Sequence, residues 1–281
     1  MGTAERPWAI DAGVARDLSA AIGWRPDDGV GALAARLPEH VPMGSTAKLA
    51  AIARDEVPPG DDPGPLARLL LEHVTLRASA PSGGAPSPSW SCWVACSVMA
   101  ALVDAHGLGP VHVALTRRSD DGAPIVDFHG AVRVDVDGTT WVCDPYFGVA
   151  IALPSEGGVR TSTRGPLGTV AAERSVDGGW AYDLAWDLWD DLVLRFRQLG
   201  PALDPGDVRA MAAISVTHSG VPLRPYVRLH LDGGITDASQ SEDGTGVLHR
   251  WTPSAGRSEH VTASWAEAVD AFAAATGVRP I

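Results

Sequence analysis

The stretch from Phe128 to Pro145 constrains this chain more than any other. It reads Phe-His-Gly-Ala-Val-Arg-Val-Asp-Val, meets Asp137-Gly138, and continues Thr-Thr-Trp-Val-Cys-Asp-Pro. Asp-Gly accepts the positive φ angles of a two-residue type I′ turn, and apolar and polar residues alternate on its flanks, so the stretch predicts a β-hairpin. Centring the turn on Asp137-Gly138 sets the register, with Val136 opposite Thr139 and Ala131 opposite Asp144. His129 shares the face of Ala131 because side chains alternate with period two. It therefore becomes a diagonal neighbour of Asp144, within reach of an imidazole–carboxylate hydrogen bond, while Cys143 turns to the other face and into the core.

Cys92 is placed by helix-start chemistry. Pro86-Ser87-Pro88-Ser89-Trp90-Ser91 is followed by an apolar helical run from Trp93 to Val103 that ends before Gly107. Ser89 or Ser91 suits the N-cap and Gly107 the C′ position. Cys92 then sits in the first turn, where unpaired amide N–H groups and the helix dipole favour a thiolate. A thiolate nucleophile, an imidazole to take its proton and a carboxylate to orient the imidazole complete the set of parts for covalent catalysis, so Cys92, His129 and Asp144 are the candidate catalytic residues. A cysteine at a helix start feeding a His…Asp hairpin is the core of papain-like and transglutaminase-like folds.

The flanks of these residues are more particular. Cys92 after a small-residue lead-in, His129 opening a strand, and Val142-Cys143-Asp144-Pro145-Tyr146-Phe147-Gly148 resemble the arylamine N-acetyltransferase family, in which the Asp of a Cys-His-Asp triad precedes a short Phe-Gly segment. Ser215-Val216-Thr217-His218-Ser219-Gly220-Val221-Pro222-Leu223 is similar to the Ser-Thr-His-Pro-x-Ser-Pro-Phe stretch opening that family's third domain. The resemblance implies an acyl-cysteine enzyme with no tightly bound cofactor. Its co-substrates would be acetyl-coenzyme A, or another acyl thioester, and a small arylamine. Trp90, Trp93, Phe147, Gly148 and His218 would lie near substrate or oxyanion, with amides at the start of the Cys92 helix and near Phe147-Gly148 as oxyanion donors. The chain also departs from the pattern. Pro88-Ser89-Trp90-Ser91 replaces the Arg-Gly-Gly lead-in, Val94 an acidic residue and Cys96 an asparagine. With Trp90 and Val94 beside the nucleophile, a larger acyl group or an acyl-carrier-protein thioester, as in a biosynthetic amide synthase, is a variant of the same expectation. A cysteine hydrolase of transglutaminase or peptidase type uses the same triad, and a binding protein on a degenerate scaffold is the non-enzymatic alternative.

The rest of the chain sets the frame. Helical segments are expected from Trp8 to about Glu72, with starts at Asp11, Asp27 and Ser45, and alternating strands from His112 onward. A strand at Val227–Leu231 and a helix from Ser264 to Ala275 close the chain. The expected fold is α+β: a helical segment 1–107 carrying the nucleophile, a central antiparallel β-barrel or sheet 108–205 carrying His129 and Asp144, and an α/β lid 206–281. The length of 281 residues and a hydrophobic content of 45% readily support a core. A net charge of −12 argues against nucleic acid and anionic membrane surfaces as partners. Three cysteines make no disulfide framework, and the N-terminus carries no apolar targeting run, so a cytoplasmic protein is expected. Cys92, Cys96, His129 and Asp144 are not expected to bind zinc, since their spacing lacks the close pairs of a zinc site. Trp180, Trp186 and Trp189 read as core or as the wall of an acceptor pocket. His40, His73, His106, His112, His230, His249 and His260 read as surface or capping residues.

Overall fold

Asp11 starts the first helix as its side chain dictates, accepting the Gly13 N–H at 2.6 Å ahead of α1 (Ala12–Ala21). The computed structural model describes residues 9–45, 85–87, 90, 92–120, 123–189, 193–198, 217–218, 221–222 and 224–280. A 3₁₀ turn at Pro26–Asp28 leads into α2 (Gly29–His40), just after the expected Asp27 start, and α3 (Cys92–Ala105) begins on the candidate nucleophile itself. The fourth described helix, α4 (Trp265–Thr276), is capped by Ser264 and closed by Gly277 in the left-handed region. The helix expected after Ser45 lies outside the described residues. Ser45 itself bonds the strand Tyr226–Leu231, donating to the Arg224 carbonyl at 2.8 Å and accepting the Tyr226 N–H at 3.0 Å.

Strands dominate the remainder. They are β1 (Met43–Gly44), β2 (Ala85–Ser87), β3 (Val111–Asp120), β4 (Ala123–Val136), β5 (Thr139–Asp144), β6 (Val149–Ala152), β7 (Val159–Gly165), β8 (Gly168–Arg174), β9 (Trp180–Trp186), β10 (Val193–Gln198), β11 (Thr217–His218), β12 (Val221–Pro222), β13 (Tyr226–Leu231), β14 (Gly234–Gln240), β15 (Gly246–Thr252), β16 (Gly256–Thr262) and β17 (Val278–Pro280). Eight form one antiparallel sheet in the order β6-β5-β4-β3-β10-β9-β8-β7, and five form a second in the order β1-β13-β14-β15-β16. The fold class is α+β, as expected, but the barrel alternative is corrected: the eight-stranded sheet is open. Its edge strands β6 and β7 come near each other but are not hydrogen-bonded, and β7 exposes the polar side chains of Arg160, Ser162, Thr163 and Arg164.

Two apolar clusters hold these layers. The larger packs α1, α2 and α3 against the eight-stranded sheet, and the smaller packs Val227, Leu229, Ala238 and Leu248 against Ala268 and Phe272 of α4. Period-two alternation makes β13 two-faced. Val227 and Leu229 enter the smaller cluster, leaving Tyr226, Arg228 and His230 to face the eight-stranded sheet. Among the described residues, no helix is long and apolar enough to cross a membrane.

Candidate active site

The hairpin folds in the register its turn requires. Asp137 and Gly138 have φ of 48° and 78°, and the pairs run from Val136 with Thr139 to Val132 with Cys143. His129 and Asp144 therefore meet, with Nε2 2.7 Å from Oδ2. Asp144 closes β5, and the chain turns so that its Oδ1 accepts the backbone N–H groups of Tyr146 at 3.1 Å and Phe147 at 3.2 Å. Tyr182 on β9 donates its hydroxyl to Oδ2 at 2.6 Å. The carboxylate is 1% exposed, so these four donors replace the water that burial removes.

Cys92 is the other polar group that acts on the ring. Burial would lower the imidazole pKa, but the Asp144 charge, then that of Cys92, outweighs it and pushes the value up from 6.5 to about 10. A ring with that value carries its proton at neutral pH. Cys92 is the most accessible of the three free cysteines. Cys96, one turn later, is fully buried, and burial followed by the nearby Asp144 and Cys92 charges raises its thiol well above the ordinary range. Cys143 is also in the core, raised by burial and then by Asp144.

Aromatic side chains enclose the pair. The rings of Phe196, Phe147 and Tyr146 lie 4.8, 5.3 and 5.6 Å from that of His129, and Tyr182 stacks on Phe196 at 4.8 Å. Beyond them, the Tyr146 hydroxyl donates to that of Tyr226 in a short hydrogen bond, joining the two sheets beside the site. Trp186 and Trp189 stack at 4.8 Å, and Arg228 lies 5.4 Å from the Phe147 centroid and 5.1 Å from that of each tryptophan.

The other expected site residues distribute unevenly. Trp90 is 1% exposed and locks the entry to α3, its N–H donating to the Pro42 carbonyl at 2.8 Å and its own carbonyl accepting the Gly44 N–H at 2.9 Å. Phe147 is beside His129, but its amide already donates to Asp144, so oxyanion binding is left to other N–H groups. Gly148 has φ of 69°, and a Cβ there would meet Pro38 Cγ at 2.8 Å and His230 Cε1 at 3.1 Å, so only glycine fits the turn. Trp93 lies in the first turn of α3 and His218 on β11 opposite Val221, with side chains outside the described residues. His230 corrects an expectation. It is a buried residue, not a surface one, and burial followed by the Arg228 charge lowers its pKa from 6.5 to about 3. Tyr182, Phe196 and Tyr226 carried no sequence signal, because they converge from separate strands, whereas Arg228 read only as an arginine able to offset acid groups or meet phosphates.

No protein-family model matches the sequence, and no curated protein matches it. Solved structures do. The Nocardia farcinica arylamine N-acetyltransferase superposes with a TM-score of 0.68 at 16% identity, over 98% of this chain and 94% of that one. The chain has the arylamine N-acetyltransferase fold. The Mycobacterium abscessus enzyme gives 0.66 at 17% identity over 94% and 89% of the two chains, and the Mycobacterium marinum enzyme in complex with CoA gives 0.64 at 13% over 94% and 92%. The arylamine N-acetyltransferase fold thus spans nearly the whole chain.

Proposed function

We propose that this protein is an N-acyltransferase that forms an amide through an acyl-cysteine, with Cys92 as nucleophile, His129 as acid–base and Asp144 as the orienting carboxylate. The observation carrying this reading is the buried imidazole held by Nε2 on Asp144 with Cys92 as its other partner. In the first half-reaction the Cys92 thiolate attacks the thioester carbonyl. The tetrahedral oxyanion collapses, the carbon–sulfur bond to the donor breaks, and the departing thiolate takes the proton from His129 Nδ1. In the second, the amine attacks the acyl-cysteine, its proton passes to Nδ1, and Cys92 leaves as thiolate. Amides at the start of α3 are the oxyanion donors we assign.

The donor we propose is an acyl-coenzyme A, since one structural neighbour is a CoA complex; a carrier-protein thioester has no such support. An arylamine acceptor fits the aromatic walls of Phe147, Phe196 and Tyr146. The Tyr146–Tyr226 contact sets β13 beside the aromatic walls of the site, and an acceptor pocket lined in this way supports aminolysis over the water attack of a hydrolase. Three free thiols fit a reducing cytoplasm. Incubation with acetyl-coenzyme A followed by intact-mass spectrometry tests the reading: the protein gains one acetyl group, and Cys92→Ser, nearly isosteric but far less acidic, gains none. Equal acetylation of Cys92→Ser would overturn it.

A further inference from the structure

Cys96 takes no part in the proposed chemistry, yet it lies one helical turn beyond the nucleophile. It follows Cys92 by four residues on α3, at a position where this chain departs from the asparagine of the family pattern. Residues four apart share a helix face, with Cβ atoms about 5–6 Å apart. Each Cα–Cβ bond tilts toward the helix N-terminus, so Cys96 leans back under Cys92. The two thiols are close enough for their charges to interact: burial, then the Asp144 and Cys92 charges, hold the Cys96 thiol well above its ordinary range. They differ in access. Cys92 is partly exposed and Cys96 fully buried, so an oxidant arriving from solvent meets Cys92 first and leaves Cys96 on the core side of it.

The spacing also allows the two sulfurs to join. Helical rise and radius put the Cα atoms about 6 Å apart, inside the range of a disulfide. The Cβ atoms must approach by about 1–2 Å. Cys92 is the first residue of α3, and the first amide groups of a helix bond no helix carbonyl, so the shift strains only the opening turn. Trp90, anchored by its backbone hydrogen bonds to Pro42 and Gly44, confines that movement to the start of the helix. We propose that Cys92 and Cys96 are a reversible disulfide modification site, in which a hydroperoxide oxidises Cys92 and Cys96 captures the product. In the first step the Cys92 thiolate attacks a peroxide oxygen and the O–O bond breaks. The leaving oxygen takes a proton from His129, which gives Cys92 sulfenic acid and water or an alcohol. In the second, the Cys96 sulfur attacks the Cys92 sulfur, the S–O bond breaks, and the hydroxyl leaves as water with the Cys96 proton. Two thiols and one hydroperoxide thus become one disulfide, one water or alcohol and a further water. Oxidation also removes the Cys92 charge from beside Cys96, so capture follows the first step. The disulfide silences the nucleophile and shields it from irreversible sulfinic acid until a thiol reduces it. Its effect on turnover rests on the acyl-transfer reading, whereas the disulfide itself does not.

Reduced protein treated with a small molar excess of hydrogen peroxide, then denatured, alkylated with iodoacetamide and peptide-mapped, tests it. The parent is expected to lose two hydrogens across Cys92 and Cys96 while Cys143 is alkylated in full, and dithiothreitol is expected to restore both thiols and acetylation by acetyl-coenzyme A. In Cys96→Ala, Cys92 is expected to gain two oxygens at least about tenfold faster than in the parent, and dithiothreitol to recover nothing from that fraction. An unreacted Cys92 in the parent, a Cys92 sulfinic acid beside a free Cys96, or a disulfide through Cys143 would each overturn the proposal whether or not the variant folds. Equal overoxidation of the parent and a folded Cys96→Ala would do the same. A Cys92–Cys96 disulfide in protein whose reduced form accepts no acetyl group would keep the modification site and refute acyl transfer.

Discussion

Asp144→Asn is the most discriminating perturbation of the proposed chemistry, because the surroundings dictate how the new amide must sit. Oδ1 receives two backbone N–H groups, so the amide oxygen stays there and the NH₂ takes the Oδ2 side. There it meets Tyr182, which can reverse its hydroxyl, and His129 Nε2, which must become an acceptor. The ring then loses its Nε2 proton and keeps the one on Nδ1, where Cys92 needs an acceptor for its own. The rise of the imidazole pKa from 6.5 to about 10 represents roughly 5 kcal/mol, with Asp144 the larger favourable cause and Cys92 the smaller. The corresponding Asp→Asn change in the serine-protease triad costs about 10⁴ in rate, the same scale of roughly 5 kcal/mol. Acyl-enzyme formation, followed by rapid quench and intact mass, is therefore expected to fall by about 10³- to 10⁴-fold. The same substitution changes the stability profile. A group whose pKa is raised on folding contributes stability that is fully present below 6.5 and is lost as pH climbs through about 10. Urea unfolding should show the parent losing stability across that window, with a smaller loss in Asp144→Asn. Acylation within tenfold of the parent rate would refute the orienting role of the carboxylate.

Iodoacetamide at neutral pH is expected to alkylate Cys92 at least about tenfold faster than Cys96 or Cys143, whose thiols burial pushes up; peptide mapping with time checks it, and Cys96 labelling first would move the nucleophile. Tyr182→Phe removes one hydroxyl from a buried carboxylate and should lower unfolding free energy by about 1.5–3 kcal/mol, read from denaturant midpoints; an unchanged midpoint would mean that the bond contributes nothing net. Gly148→Ala forces a Cβ to within 2.8 Å of Pro38 at a φ of 69°, and should cost about 1–3 kcal/mol, visible as a lowered melting temperature.

What was legible in the sequence was local. The Asp137-Gly138 turn has one favourable geometry, and side-chain alternation then carries His129 and Asp144 to one face without reference to the rest of the chain. Cys92 was legible for a similar reason, since a helix start depends on a few adjacent residues. The open sheet was not, because closure depends on whether β6 and β7 can pair, and no local pattern states which strands become neighbours. Nor were Tyr182, which reaches Asp144 from β9, and Phe196, which reaches His129 from β10. Arg228 shows the division most clearly. In the sequence it is one arginine in a strand with Val227 and Leu229 as neighbours. Only the packing of β13 between α4 and the eight-stranded sheet decides that its side chain is buried beside Phe147 and Trp186, because burial and charge pairing are set by which layers meet.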